Sequence, residues 1–222
     1  MRGRYSIITL IIANDMVPAS NIIYLASKSP RRRELLKQIG VHYELLMMRE
    51  KPGGGREIDI DETPHAGELP QAYVERVVTL KADAAVKIMR SRRLPVRPVL
   101  TADTTVALNG EILGKPENVE DAARMLRTLS GQTHQVLTAV AVSFNNETQR
   151  ALSTSYVTFA ALNDADIRRY VESGEPMDKA GAYGVQGAAA KFIAKLSGSY
   201  SGVMGLPLYE TATLLRQCGI SL

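Results

Sequence analysis

Several charged side chains fall where surface solubility alone would not put them. Ser29 is suited to cap a helix whose first position is Pro30, where a fixed φ fits and no N–H is lost. Arg31, Arg32 and Arg33 then crowd the first turn. Cations there oppose the helix dipole, whereas the free N–H groups of a helix start attract anions. This is either a solvated basic turn or the seat of a polyanion such as a triphosphate. Lys81 lies inside the apolar helical stripe Val74, Val77, Val78, Ala85, Ile88. A lysine so placed snorkels out along its stem or points into a charged cavity. Asp103 closes an apolar strand within Thr101-Ala102-Asp103-Thr104-Thr105. A carboxylate there turns back onto its own backbone, or serves as a catalytic group outside the carboxyl ends of α/β strands. Asp59, Asp61 and Glu62 form an acidic cluster that, taken alone, reads first as a solvated loop. Residues 175–187 are glycine-rich without the spacing of a phosphate-binding P-loop. They are either a flexible connection or a loop that approaches a planar ligand closely.

These groups need elements to hold them. The apolar run 22–26 predicts a short buried strand, followed by a helix from Pro30 to about Ile39 that stops at Gly40. Residues 43–48 read as a second strand and 49–68 as a long loop; loops of that length are usually functional or mobile. A helix over 69–89 carries Lys81, and 90–98 is a basic surface connection. A central strand within 98–108 carries Asp103 and turns at Asn109-Gly110, a type I′ hairpin signal, into 111–113. Asn118 caps a helix over 119–129, which Gly131 closes. Strands 135–144 and 149–160 form a hairpin at Asn145-Asn146. A helix from Asp164 to about Ser173 ends at Gly174, a strand covers 191–196, and Pro207 starts a last helix that ends near Cys218-Gly219.

With 222 residues, 45% hydrophobic and 23% charged, the chain can form one large domain or two small lobes. One cysteine excludes an internal disulfide framework and fits a reducing compartment, here expected to be the cytoplasm. With only three scattered histidines besides, a zinc site is disfavoured. Residues 1–100 hold 17 Lys and Arg against 11 Asp and Glu; 101–222 hold 10 against 12. A basic N-terminal half suits an anionic ligand, but aromatic content of 5% with no tryptophan argues against nucleic acid. No stretch is long enough to span a membrane. Residues 1–19 are only faintly like a signal peptide and are expected to be a non-essential extension, with Met16 as an alternative start; 20–222 form the functional domain.

Taken in order, Ser27-x-Ser29-Pro30-Arg31-Arg32, Asp59-x-Asp61-Glu62, Lys81-Ala82, Ala102-Asp103-Thr104, Lys115-Pro116, Leu129-Ser130-Gly131 and Asp178-Lys179-Ala180-Gly181-x-Tyr183-Gly184-x-Gln186-Gly187 resemble the Maf family of nucleoside triphosphate pyrophosphatases. The resemblance runs from about Ile22 to Cys218, excludes 1–19, and meets a longer 51–58 segment than the family usually has. It implies an α/β fold, similar to the inosine triphosphatase group, with two lobes around a mixed twisted sheet and the site in the cleft. It also implies hydrolysis of the α–β phosphoanhydride with a divalent metal, magnesium or manganese, giving monophosphate and pyrophosphate. By this resemblance Asp103 is the proton acceptor and, with Glu62, a metal ligand. Arg32, Thr104 and Gln186 set base specificity; Ser27, Arg31, Lys81 and Lys115 bind phosphate. The form of the 178–187 loop looks like the branch acting on dTTP and UTP; the 7-methyl-GTP branch has glutamate in place of Gln186. A role arresting septum formation through a partner is also associated with the family, and a homodimer is compatible with it.

The residue chemistry agrees. A triphosphate carries about four negative charges, which in-line attack at phosphorus must spread over cations and metal. Arginine forks grip phosphate oxygens, lysines act as point charges, and carboxylates are hard ligands for magnesium or manganese.

Overall fold

The computed structural model describes residues 21–47, 58 and 60–222. The expected extension at 1–19, the strand end at Met48, most of the 49–58 loop and Asp59 lie outside the described residues.

Three long strands make the frame: β3 (Val99–Leu108), β5 (Thr133–Phe144) and β6 (Glu147–Phe159). They are antiparallel neighbours in register, through Thr104↔Thr138 and Thr138↔Ser153. Outside β6 lies β7 (Ile193–Ser197). The other edge of β3 is shared. At one end it pairs in parallel with β1 (Ile22–Leu25), which carries β2 (His42–Leu45) beyond it. At the other it pairs antiparallel with β4 (Glu111–Leu113). The result is one mixed seven-stranded sheet. Because β1 stops at Leu100 in the β3 register and β4 starts at Val106, residues 101–105 have no strand partner on that edge.

One sheet face is covered by α2 (Pro70–Ser91), whose Val74, Val77 and Val78 pack on Ala107, Leu137, Ala139 and Ala141. The other face carries two separate apolar clusters. Near β1, α1 (Pro30–Gln38) and α6 (Leu208–Gln217) bury Leu35, Leu36, Leu214 and Leu215 over Leu100, Val140 and Val142. Near β4, α3 (Val119–Leu129) and α4 (Asp164–Glu172) pack with Val106, Val136, Val157 and Phe159. Between the clusters runs a polar row, Thr104, Thr138 and Ser153, one residue from each long strand. These clusters are the two lobes, and the row marks the line between them.

The Asn118 cap and both hairpin turns act as the sequence implies, and Asn163 supplies a further cap. Asn118 and Asn163 accept from Asp121 N–H and Asp166 N–H, both at 2.8 Å. Asn109, Gly110, Asn145 and Asn146 all have positive φ, as type I′ turns require. Other boundaries differ. Ser29 is extended at the N-cap position but makes no side-chain cap; its N–H donates instead to Ser27 Oγ at 3.2 Å. The second strand ends earlier than 48, and Lys191 lies in a 3-10 turn before β7. A short helix, α5 (Tyr200–Met204), stands between β7 and the last helix, where the sequence predicts no element. It crosses the polar row, where Gly202 C=O accepts from Thr138 Oγ1 at 2.8 Å.

Candidate active site

The unpaired stretch of β3 opens into a cavity of about 880 Å³. All nine residues singled out from the sequence line it: Ser27, Arg31, Arg32, Glu62, Lys81, Asp103, Thr104, Lys115 and Gln186. Strand alternation sends Asp103 and Thr104 to opposite faces, so the cavity has chemistry on both sides of the sheet edge.

On the α2 side, Asp103 sits mid-strand, not at a strand end as its sequence context suggested. The end of β1 beside it leaves that edge of β3 open to the cavity, though the residue itself is buried. Its Oδ1 accepts from Lys81 Nζ at 2.6 Å, and Glu62 Oε2 accepts from the same ammonium at 2.8 Å. Lys81 therefore points into the cavity. Glu62 is held by neighbours that sequence reasoning missed. Tyr73 Oη donates to Glu62 C=O at 3.0 Å. Arg76 forks onto Glu68 at 2.7 Å through both Nε and Nη2, and reaches the carbonyls of Asp61 and Thr63. That fork, with the His65 N–H, holds the Glu68 carboxyl down at about 2. Tyr73 and Lys81 stand eight residues apart on one helix, two turns along a shared face, which was the available signal. Burial, reinforced by the charges of Asp103 and Glu62, pushes the Tyr73 hydroxyl up to about 12.

On the opposite side, Arg32 is fixed by three neutral acceptors: Gly205 C=O at 2.7 Å, Ser27 Oγ at 3.1 Å and Thr104 Oγ1 at 3.4 Å. None of these cancels its charge, so the guanidinium is orientated yet available to an anion. Burial lowers its pKa, with Asp103 opposing. Thr104 Oγ1 is also 2.9 Å from Thr138 Oγ1. Arg31 reaches across to Asp178 at 3.2 Å, and Lys179 binds Asp178 at 2.6 Å. Lys115 makes no hydrogen bond or ion pair among the described residues. Gln186 is exposed on the far wall, between the buried Val185 and the half-buried Gly187.

No group of three or more His, Cys, Asp or Glu suited to a metal occurs among the described residues. Glu62 and Asp103, converging on one point of positive charge, nonetheless match what magnesium asks of a protein: one or two carboxylates, with water and substrate phosphates completing the shell. The donor set fits.

A sequence model described as Maf-like protein matches residues 22–218. A protein of Dechloromonas aromatica (strain RCB) named dTTP/UTP pyrophosphatase is 56% identical, covering 89% of this chain and 97% of its own. Proteins of the same name from Aromatoleum aromaticum and Ralstonia nicotianae are 56% and 57% identical, covering 93% and 90% of this chain and 100% and 95% of theirs. A solved structure described as the Staphylococcus aureus Ham1 protein is similar at TM-score 0.42 and 21% identity, covering 63% of this chain and 72% of that one. Among the described residues no helix is long and apolar enough to cross a membrane.

Proposed function

The chain belongs to the Maf family, and from that premise we propose that it hydrolyses the α–β phosphoanhydride of dTTP and UTP to the monophosphate and pyrophosphate. The relatives at about 56% identity carry that activity in their names, and their matched length spans nearly this whole chain. The observation that carries the proposal is the convergence of Asp103, Lys81, Glu62, Arg31, Arg32 and Lys115 on one cavity.

In this reading Asp103 orients and deprotonates the attacking water. Lys81 holds Oδ1, leaving Oδ2 to receive the proton; such general-base help is typically worth ~10²–10⁴-fold. Glu62 and Asp103 would hold a magnesium or manganese ion, which when bound supplies positive charge against the phosphoryl oxygens. Arg31, Lys115 and Ser27 take the phosphate tail, Arg31 exchanging Asp178 for a phosphate oxygen. Gln186, with Arg32 and Thr104, reads the base. A glutamine amide matches the carbonyl and N3–H edge shared by uracil and thymine. Cytosine offers an amino group and a bare N3, a mismatch worth ~1–3 kcal/mol.

The test is pyrophosphate release from UTP, dTTP, CTP and 7-methyl-GTP, with magnesium or manganese and with a chelator. UTP and dTTP should lead, the chelator should abolish turnover, and Asp103→Asn should lower kcat at least ~10²-fold with the fold intact. Preference for 7-methyl-GTP, or a folded Asp103→Asn protein with near wild-type turnover, would overturn the proposal.

A further inference from the structure

We infer that Glu175, which does not line the cavity, is the positioning residue that presents Gln186 to the base; the inference rests on the base-reading role given to Gln186 above. Glu175 Oε1 accepts from Tyr170 Oη at 2.9 Å, and Oε2 accepts from Ala188 N–H at 3.1 Å. Tyr170 Oη in turn accepts from Gly184 N–H at 3.2 Å. The main-chain N–H groups two residues before and two residues after Gln186 therefore both end on one tyrosine–carboxylate pair.

The loop is closed tightly on that pair. A Cβ at Gly187 would stand 2.0 Å from Glu175 Oε1, and one at Gly184 would stand 2.9 Å from Lys179 Cε. Lys179 Nζ donates to Glu175 C=O at 2.5 Å, which fixes the main chain beneath the carboxylate. The glycines in this loop thus make room for Glu175 and Lys179, besides any close approach to a ligand.

Among the described residues the Glu175 carboxylate has no cation partner; it is held by a hydroxyl and an amide N–H. A half-buried charge so placed loses hydration without a compensating ion pair, so its use as a stabilising contact alone is poor. What it offers is two acceptor oxygens and no hydrogen. Tyr170 Oη and Ala188 N–H each find one acceptor there, so the loop is tied on both sides of Gln186. Gln186, exposed at its apex, inherits a fixed direction. A base-reading amide needs that fixity, because an amide free to rotate pairs with cytosine as readily as with uracil.

The test uses the full-length wild type, Glu175→Ala, Glu175→Gln, Tyr170→Phe, Gln186→Ala and the Glu175→Ala/Gln186→Ala double variant. The readouts are kcat and KM for UTP and CTP, with Tm alongside. Glu175→Ala should lower the UTP:CTP ratio of kcat/KM by ~10-fold or more, chiefly through KM for UTP. Adding Gln186→Ala to it should cost the ratio nothing further, because both changes act on one contact. Glu175→Gln keeps one acceptor for Ala188 N–H but turns an amide NH2 toward Tyr170 Oη, so its ratio should fall between those of Glu175→Ala and wild type. A folded Glu175→Ala protein with the wild-type ratio, or losses in ratio that add in the double variant, overturns the inference. So does a parallel fall in both substrates that tracks Tm. Should Glu175→Ala fail to fold, Tyr170→Phe must lower the ratio part-way, and an unchanged ratio there overturns it too. If Gln186→Ala leaves the ratio at its wild-type value, the base-reading role and this inference fall together; if Gln186→Ala changes the ratio and Glu175→Ala does not, only the inference falls.

Discussion

Lys81 shows how one side chain can serve two purposes in the cavity. Its ammonium joins Asp103 and Glu62 at 2.6 and 2.8 Å, and its side chain is 19% exposed. An ion pair of this kind adds little when both partners are solvated, and more when one is buried. Here Asp103 is 8% exposed. Replacing Lys81 by methionine leaves two carboxylates facing each other across an apolar stem. Lys81→Met should therefore lower kcat/KM by ~10-fold or more and lower Tm as well. Steady-state kinetics on UTP with a thermal melt checks both. Unchanged kinetics would mean that the ammonium balances charge in the apo protein and contributes nothing to phosphoryl chemistry.

At the scale of elements, the 178–188 wall stands on a buried aromatic cluster. His134 on β5 is 1% exposed, contacts Tyr183 Oη at 2.8 Å through Nε2, and meets Phe159 and Tyr183 edge-on. Its Nδ1 has no partner among the described residues. Burial pushes its pKa down to about 4. The unfolded chain takes up this proton near pH 6.5 and the folded protein only near pH 4. The stability contributed is thus whole above about pH 6.5 and drains away as pH falls toward 4, a loss of about 3 kcal/mol in all. Urea unfolding at pH 7 and pH 5 should show that slope, and His134→Asn should flatten it; equal slopes would assign the loss to other groups. The elements themselves were largely legible beforehand. The Asn118 cap, the Asn-Gly and Asn-Asn turns and the glycine stops are local chemistry, and the structure keeps them; the Asn163 cap just ahead of Asp164 went unread. What else escaped was long-range. Nothing near Asp103 in the chain reveals that β1 ends beside it. Nothing near Tyr73 shows that its hydroxyl will orient Glu62. The helix α5 is five residues long and gains its place from Thr138 and Arg32, which lie 64 and 173 residues from the carbonyls they bind.

Over the whole molecule, the cavity is assembled from segments remote in sequence. Arg31 meets Asp178 and Arg32 meets Gly205, so the first helix is tied to the last third of the chain across the site. A ligand bridging those walls binds the folded state alone. At 100 times its Kd, a non-hydrolysable UTP analogue with magnesium should add about 2.7 kcal/mol of stability. For a domain of this size that corresponds to a Tm rise of roughly 5–11 °C. A melt with the matching cytidine analogue at equal concentration should give a smaller rise; equal rises would mean that the phosphates carry the binding and the base is not read.

The unbroken run of β3, β5 and β6 beneath both lobes has a mechanical consequence. Jaws that close around a substrate need a hinge, usually a few loop residues that absorb the rotation. Here the floor is two hydrogen-bonded ladders shared by both jaws, and bending it would shear both at the Thr104–Thr138–Ser153 row. The cleft is thus a slot milled into a plank: its width is set when the protein folds, and only side chains and the walls above the plank are free to adjust to what enters.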